Sequence, residues 1–600
     1  MPELIKAWAW ENARVATSKK HRKAVLEMLD KKRVFLDTET NGIDRIRKLR
    51  LLQLGDKQNT WLIDPHSDFI NDVLYRLFES PITWIAYNAS FDMISLGLEY
   101  FGVTRTKRAS ASRITSQNKM YDWMIHKAVS GQVIDPMVTE QVSKSSVRYE
   151  SLSTLAALEN VSNLPEQEWE RYAERAGMSS ANKYAAASVN DPQWLKYSAH
   201  DITQLRAVYQ RVKPHLKIPL VKQETAVNVL YEIIKHRGMS FDFQSASKLY
   251  EQLCTDREKL LDDLAKYGIH SASAGKQVAA ALLNAGAKLE VRTPTGAFQT
   301  NKAVLQSITK PKKAKALAEL VIRAKSHTKD MGSVANLAHN SPDGSRVYPT
   351  LYRIGAITGR SACVTPNLQQ LNKHQGDSRV RKLLGADSGD ILATVDFDGM
   401  ELRVIAELSG DPKLTAALLK GSDIHGQVAG MIYGPHYSEK QRNKAKMGVF
   451  AMLYGAGSHA IASNTGITID EADALKDAWK TLYPTVDKVA RKWNKYAEDV
   501  GFTVLPNGWI VNVGDAPYRA VNYQIQGMAA FIFREAALQA AKAGLWQYVR
   551  MVVHDEFVLS LPHNKAKKLL NKFIEAVTVK HDFMIYTVKG ETYGSYWGRD

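Results

Sequence analysis

Asp37 and Glu39 close the apolar run RVFLDTET at residues 33–40. The run reads as a strand, and residues two apart on a strand face the same way. The two carboxylates therefore stand side by side and repel unless cations lie between them. Two further clusters follow in order: Asn88 to Asp92 in NASFD, and Tyr197 to Asp201 in YSAHD. Asp92 and Asp201 complete a set of four hard oxygen donors with Asp37 and Glu39, the kind that Mg²⁺ or Mn²⁺ prefers. Two such ions a few ångströms apart activate a water and stabilise the leaving oxygen of a phosphodiester. Tyr197, one helical turn before Asp201, is placed to orient that water. DTET alone reads as a strand-end turn and YSAHD alone as a helix with incidental polar groups, so the argument rests on all three together. His200 reads as accessory or structural.

A second set lies between 396 and 556. Asp396 ends a strand in VDFDGMELR, and Glu401 opens the helix that follows. His554, Asp555 and Glu556 sit in VVHDEF, a strand–turn–strand pattern. Aspartates from two strands meeting at a sheet edge bind two divalent cations in the same way. Between them, in RNKAKMGVFAMLYG, Arg442, Lys446, Phe450 and Tyr454 recur every four residues. That spacing puts them on one slowly turning helix face, spread over about 18 Å. Two cations, a ring and a phenol in that order suit a nucleoside triphosphate, with phosphates at the cationic end and base and sugar at the other.

The remaining features set the frame. At 600 residues the chain has room for about four domains or subdomains. Its net charge of +18 points to a polyanionic partner, nucleic acid first, over a merely solvated lysine surface. Two cysteines, Cys254 and Cys363, exclude a disulfide scaffold or a thiolate zinc site. No signal peptide or membrane span is evident, so a cytoplasmic protein without membrane partners is expected. A compact α/β domain is expected over about 30–210, with VKPHLKIPL as a joint. Residues 220–330 read as helix-rich and lysine-rich, and the rest as an α+β body with a helical insertion.

These motifs resemble two families. The first set resembles the proofreading 3′→5′ exonuclease domain of the DEDD nucleases, in the tyrosine subclass that Tyr197-x-x-x-Asp201 defines. The second is similar to the family A DNA polymerases, the DNA polymerase I and bacteriophage replicative enzymes. That match runs in order through TGR (358–360), TPNLQ (365–369), VDFDGMELR (395–403), DIH (423–425), the helix at 442–454, QIQG (524–527) and VHDE (553–556). It implies an α/β ribonuclease H-like exonuclease domain over 1–215 and an α+β right-hand polymerase over 216–600. Within the latter it implies a thumb at about 243–345, a palm at 346–410 and 511–600, and fingers at 411–510. The absence of a 5′-nuclease domain points to a phage replicative enzyme, with a bacterial or organellar relative as the alternative.

The resemblance also implies roles. Asp396 and Asp555 hold two Mg²⁺ ions, Mn²⁺ being the alternative, as Asp37, Glu39, Asp92 and Asp201 do in the exonuclease. Asp398, which alternation puts on the same strand face as Asp396, is the second choice for a polymerase ligand. Arg442, Lys446 and His425 meet the triphosphate, and Lys446 also donates a proton to the leaving pyrophosphate. Phe450 packs on the sugar and Tyr454 beside the template–primer stack. Glu401 lies under the 2′ position and leaves no room for a ribose hydroxyl. Arg360 and Gln526 contact the minor groove, whose acceptors vary little with sequence. Tyr518 stands where the family carries arginine, which leaves the role of Arg519 open, and LNKHQGDSRV also departs from the family pattern. Lys276, Lys302, Lys310, Lys312, Lys313 and Lys315 supply sequence-independent affinity for DNA at the thumb. The expected partners are primer–template DNA, dNTPs and replisome proteins such as a helicase and a single-strand-binding protein, bound by a monomer. Three rival readings are a nuclease whose C-terminal body only holds DNA, a scaffold with decayed sites, and a single-subunit RNA polymerase. The first is opposed by the complete helix at 442–454, the second by the intact carboxylates. The third is opposed by Glu401, by phenylalanine at 450, and by the exonuclease.

Overall fold

A computed structural model describes residues 13–16, 18–42, 45, 47–103, 111–179, 183–293, 295–371 and 379–598. The opening segment 1–12, and 372–378 of the LNKHQGDSRV loop, lie outside the described residues.

The N-terminal unit is built on a mixed six-stranded sheet. Its strands are β1 (Ala13–Ala16), β2 (Arg33–Thr40), β3 (Leu49–Gly55), β4 (Thr60–Ile63), β5 (Thr83–Ile85) and β6 (Val133–Ile134), in the order β1-β4-β3-β2-β5-β6. β2 runs antiparallel to β3 and parallel to β5. This is the ribonuclease H-like arrangement expected from the resemblance. Apolar residues from RVFL and LRLL lie buried between the sheet and its helices. β5 pairs with β2 only as far as Phe35. Asp37 and Glu39 therefore emerge just past the end of one neighbour, while the pairing with β3 still holds their backbone. Helix α1 (Ala89–Tyr100) crosses beside them and α2 (Pro192–Val212) packs against β2.

The proline-marked passage at 212–220 is tighter than a linker. Lys213–Lys217 forms a 3₁₀ turn, and Pro219 opens the 19-residue helix α3 (Pro219–Arg237), a place where its missing N–H costs nothing. Most of α3 is buried, and it contacts elements of both halves of the chain. Next comes a long helical pair, Phe243–Ala265 and Lys312–His339, with its own small apolar core. The lysines expected at its tip, Lys276, Lys302, Lys310, Lys312, Lys313 and Lys315, are all exposed.

The C-terminal body centres on an antiparallel sheet of β7 (Asp390–Phe397), β8 (Val549–Val553), β9 (Glu556–Pro562) and β10 (Val588–Thr592), in the order β8-β9-β7-β10. Helices α4 (Met400–Ser409) and α7 (Ala520–Lys542) pack together, and Phe533 of α7 lies against Phe397 and Phe557 of the sheet. Between them stand α5 (Ile424–Tyr433) and α6 (Glu439–Leu453), with two longer helices behind.

The two halves meet around a buried carboxylate. Glu224 of α3, 1% exposed, accepts a hydrogen bond from Arg353 at 2.7 Å and forms an ion pair with Arg534 at 3.0 Å. Arg353 also donates to the side-chain oxygen of Gln141, from the N-terminal unit. Met137 and Val138 join Leu505, Trp509 and Val511 in one apolar cluster beside it. A buried ion pair adds little net stability, but removing one partner strands the other's charge. Glu224→Ala is therefore expected to destabilise the fold by about 3–5 kcal/mol. Urea unfolding followed by intrinsic fluorescence measures this.

Candidate functional site

The first carboxylate set converges. Ligand oxygens of Asp37, Glu39 and Asp201 lie within 4.8 Å of one another. Asp92, 1% exposed on the first turn of α1, stands outside that triad and accepts a hydrogen bond from the Thr38 hydroxyl at 2.7 Å. Asn88 N-caps α1 in the left-handed region, and the buried Asp135 accepts the N–H groups of Asn88 and Ala89 at 3.1 and 3.0 Å. Asp135 thus fixes the turn that delivers Asp92.

Burial raises every acid of this group. It lifts Asp37 to about 6, and burial with the Asp37 charge lifts Glu39 to about 8. Asp92 and Asp201 are also raised, by burial first and by Asp37 second. Such groups hold protons that a divalent cation would replace, so the donor set fits metal ions. Tyr197 is raised well above its ordinary value by burial and by Asp201. As a neutral phenol it places its one O–H between Glu39 and Asp201, within hydrogen-bonding reach of both. His200 bonds the Ser162 carbonyl at 2.6 Å through Nε2 and faces the fold rather than the acids.

Three residues here escape sequence reasoning. Lys183 acts on Glu39 electrostatically and pairs with Glu170 at 2.9 Å. Tyr184 hydrogen-bonds Tyr197. Arg47, 5% exposed, acts on Asp92 and donates to the Ser95 hydroxyl at 2.7 Å. Lys183 and Tyr184 ride on a one-turn helix too short for any periodic signal.

The second set lies at one end of the four-stranded sheet. Asp396 pairs with Glu556 across β7 and β9, and His554-Asp555 is the two-residue loop between β8 and β9. Such tight loops need φ > 0 at the first position. His554 supplies it at φ 57°, a strained value for a side-chain-bearing residue beside reactive groups. Asp555 is lifted to about 7, by burial first and then by Asp396 and Glu401. Glu401 accepts from Arg360 at 3.2 Å and from the Tyr454 hydroxyl at 3.1 Å, so these three side chains form one network. Gln526 on α7 accepts from the Thr358 hydroxyl at 3.2 Å.

Two expectations shift. Asp398 does not share the strand with Asp396: β7 ends at Phe397, and Asp398 pairs with Lys589 at 2.9 Å. Helix α6 ends at Leu453, so Tyr454 is its C-cap rather than part of its face. A glycine follows in the left-handed conformation at φ 84°, which turns the chain there.

Lys446 is exposed, whereas Arg442, Phe450 and Tyr454 are half-buried. Phe450 and Tyr454 line a cleft of about 1020 Å³ with Tyr518, Arg519 and Tyr523. Arg519 hydrogen-bonds Tyr523 and Tyr518 there. His425, 8% exposed, packs its ring 5.5 Å from Phe450, and burial together with Lys446 lowers it to about 4. Elsewhere, Glu407, His581 and Asp582 also cluster. Tyr586 donates to Glu407 at 2.6 Å and His581 pairs with it, so that group is complete as a tether.

A mixed-sheet unit with grouped acids, joined to a second acidic centre beside a cationic and aromatic helix, defines a two-site enzyme of nucleic-acid chemistry. The family model for DNA polymerase family A matches residues 241–599, and that for a 3′-5′ exonuclease matches 13–217. The chain is 26% identical over 562 residues to a DNA polymerase of Mycobacterium phage D29, covering 88% of this chain and 87% of that one. It is 25% identical over 589 residues to DNA polymerase I of Aquifex aeolicus, covering 91% and 92%. Its fold is similar to the POL domain of Pol1 from M. smegmatis, solved with DNA primer-template and dNTP, at a TM-score of 0.75 and 18% identity. That likeness covers 98% of this chain and 99% of the other. The chain belongs to DNA polymerase family A. It is a DNA polymerase that also carries a 3′-5′ exonuclease domain, and both domains are of divalent-metal-dependent kinds. No helix among the described residues is long and apolar enough to cross a membrane.

Raised carboxylates give this fold a definite pH dependence. Asp37 and Glu39 hold protons in the folded state up to about 6 and about 8, but in the unfolded chain only to 3.8 and 4.5. Between those limits the folded state binds more protons, so metal-free stability falls as pH rises from about 4 to 8. The melting temperature in EDTA is expected to drop across that range. Added Mn²⁺ is expected to recover more of it at pH 8 than at pH 5.

Proposed function

We propose that the chain replicates phage DNA in the host-cell cytoplasm, extending a primer with dNTPs at Asp396 and Asp555 and editing at Asp37, Glu39, Asp92 and Asp201. The observation that carries this reading is the coexistence of two acid centres in one chain, only one of them beside an Arg–Lys–Phe helix. The phage relative supports the replicative setting.

In this reading 1–215 is the exonuclease domain. Residues 243–345 are the thumb, 346–410 with 511–600 the palm, and 411–510 the fingers. Mg²⁺ is the ion at both centres; it supplies activation of the attacking oxygen and neutralisation of the leaving one. The protein's share is positioning and charge. Arg442 and Lys446 bind the triphosphate, with Lys446 giving a proton to the departing pyrophosphate. His425, kept neutral by burial, hydrogen-bonds the phosphates and supports Phe450 under the sugar. Glu401, held by Arg360 and Tyr454, closes the space a 2′-hydroxyl would occupy. Arg360 and Gln526 meet the nascent pair in the minor groove. In the exonuclease, Tyr197 orients the attacking water between Glu39 and the scissile phosphate. The protein works as a monomer on primer–template DNA, with a helicase and a single-strand-binding protein as neighbours.

A labelled primer on a longer template tests both centres on one gel. Extension with dNTPs and shortening without them is expected. Asp555→Asn is expected to abolish extension and leave shortening; Asp37→Ala with Glu39→Ala is expected to do the reverse. Glu401→Ala is expected to raise ribonucleotide insertion by about two orders of magnitude. Shortening alone under every nucleotide condition refutes the polymerase assignment.

A further inference from the structure

Arg442 is already engaged. Its Nε donates to Asp423 Oδ2 at 2.6 Å and its Nη2 to Oδ1 at 3.0 Å, a two-pronged pair along one edge of the guanidinium. Glu439 takes a weaker contact from Nη1 at 3.4 Å and is 73% exposed. A guanidinium has five N–H donors in a rigid plane, so fixing the Nε edge fixes the direction of the rest. The carboxylate is itself fixed. Asp423 N-caps α5 and accepts the Gly426 N–H at 3.0 Å. A Cβ at Gly426 would collide with Asp423 Oδ2 and with the Tyr437 hydroxyl, so the glycine leaves room for this arrangement.

The pair is open to water, with Asp423 43% and Arg442 30% exposed in their side chains. Such pairs contribute little to stability. A bidentate geometry does give orientation. The next residue but one, His425, is buried on the same helix start, and its Nδ1 has no hydrogen-bond partner among the described residues. Asp423 thus ties Arg442 to the helix end that carries a second, unsatisfied polar group.

We propose that Asp423 is a positioning residue for the nucleotide: it holds the guanidinium of Arg442 by its Nε edge and leaves the opposite edge for the phosphates of an incoming triphosphate. This rests on the reading that Arg442 receives the triphosphate. The carboxylate takes no part in the chemistry, so its loss acts on binding more than on turnover.

Single-nucleotide insertion kinetics test this with five proteins: the unaltered chain, Asp423→Asn, Asp423→Ser, Gly426→Ala and Arg442→Ala. Asparagine and serine both keep an N-cap acceptor for Gly426, so they remove the ion pair without removing the cap. The rate of 3′ shortening in each variant reports whether the protein is folded. The expected result is a KM for dNTP raised about tenfold in Asp423→Asn and Asp423→Ser, with a smaller fall in kcat. Gly426→Ala, which displaces the carboxylate, is expected to move KM the same way. If Arg442→Ala raises KM while both Asp423 variants leave it unchanged, the inference fails and the role of Arg442 stands. A lowered KM in the Asp423 variants also overturns it, because the carboxylate would then compete with the triphosphate. If Arg442→Ala leaves KM unchanged, the reading of Arg442 fails and this inference with it.

Discussion

Carboxylates crowded in a low-dielectric setting repel one another, and both centres of this protein depend on holding them together regardless. Asp37, Glu39, Asp92 and Asp201 are all raised by burial, and Asp555 is raised by burial, Asp396 and Glu401. A flexible loop would relax and let such groups part. Here Asp37 and Glu39 sit on β2, between β3 and β5, and Asp396 on β7, between β9 and β10, while Asp92 and Asp201 are carried by helices α1 and α2 that contact β2. The sheet ladder resists the motion that repulsion favours. In each sheet the acids emerge near where pairing ends, past Phe35 on β5's side and at the His554-Asp555 loop. Stiffness and access are thereby combined, and the energy stored in the repulsion is what divalent cations release on binding.

The join between the halves follows the same logic with the signs arranged to cancel. Glu224 lies between Arg353 and Arg534, and Gln141 reaches in from the N-terminal unit. Domain motion is the ordinary expectation where an interface is small or polar. This interface adds an apolar cluster, with Trp509 and Leu505 against Met137 and Val138. Helix α3 runs through the join without a break.

Much of this was legible in the sequence because it rests on short-range rules. RVFLDTET, VDFDGMELR and VVHDEF have strand periodicity ending in acids, and the observed strands fall there. The spacing of four predicts α6 up to its last turn. It missed the termination at Tyr454, since the glycine that follows ends the helix whatever the side-chain pattern. Asp398 shows another limit. Alternation places it with Asp396, yet β7 stops one residue earlier, and Lys589, far away in sequence, claims its carboxylate. Lys183, Tyr184, Arg47 and the Glu224 node were invisible for a common reason: each matters through partners that only tertiary folding brings near. VKPHLKIPL marks the joint where it was expected, at the end of the exonuclease match; its form as a 3₁₀ turn and a helix start was not legible, because proline at a helix start and proline in a linker look alike until burial is known.

In the proposed reading the two centres differ in the cations around them, and that difference matches the charge each would bind. Around the exonuclease acids the side-chain cations with a resolved influence are Lys183 on Glu39 and Arg47 on Asp92. Near Asp555 stands Arg360, while on α5 and α6 Arg442 pairs with Asp423, and burial with the nearby Lys446 lowers His425. A phosphodiester brings one negative charge to its site and a neutral water as nucleophile, so metal ions nearly suffice. A triphosphate brings several, and the extra charge must be met by fixed cations that do not leave with the product. Such cations act best when their direction is fixed before the ligand arrives, since a guanidinium offers its donors in one rigid plane. Asp423 on Arg442 and Glu401 on Arg360 fix those directions, and both acids are placed in the first turn or at the cap of a helix, where the helix dipole favours negative charge.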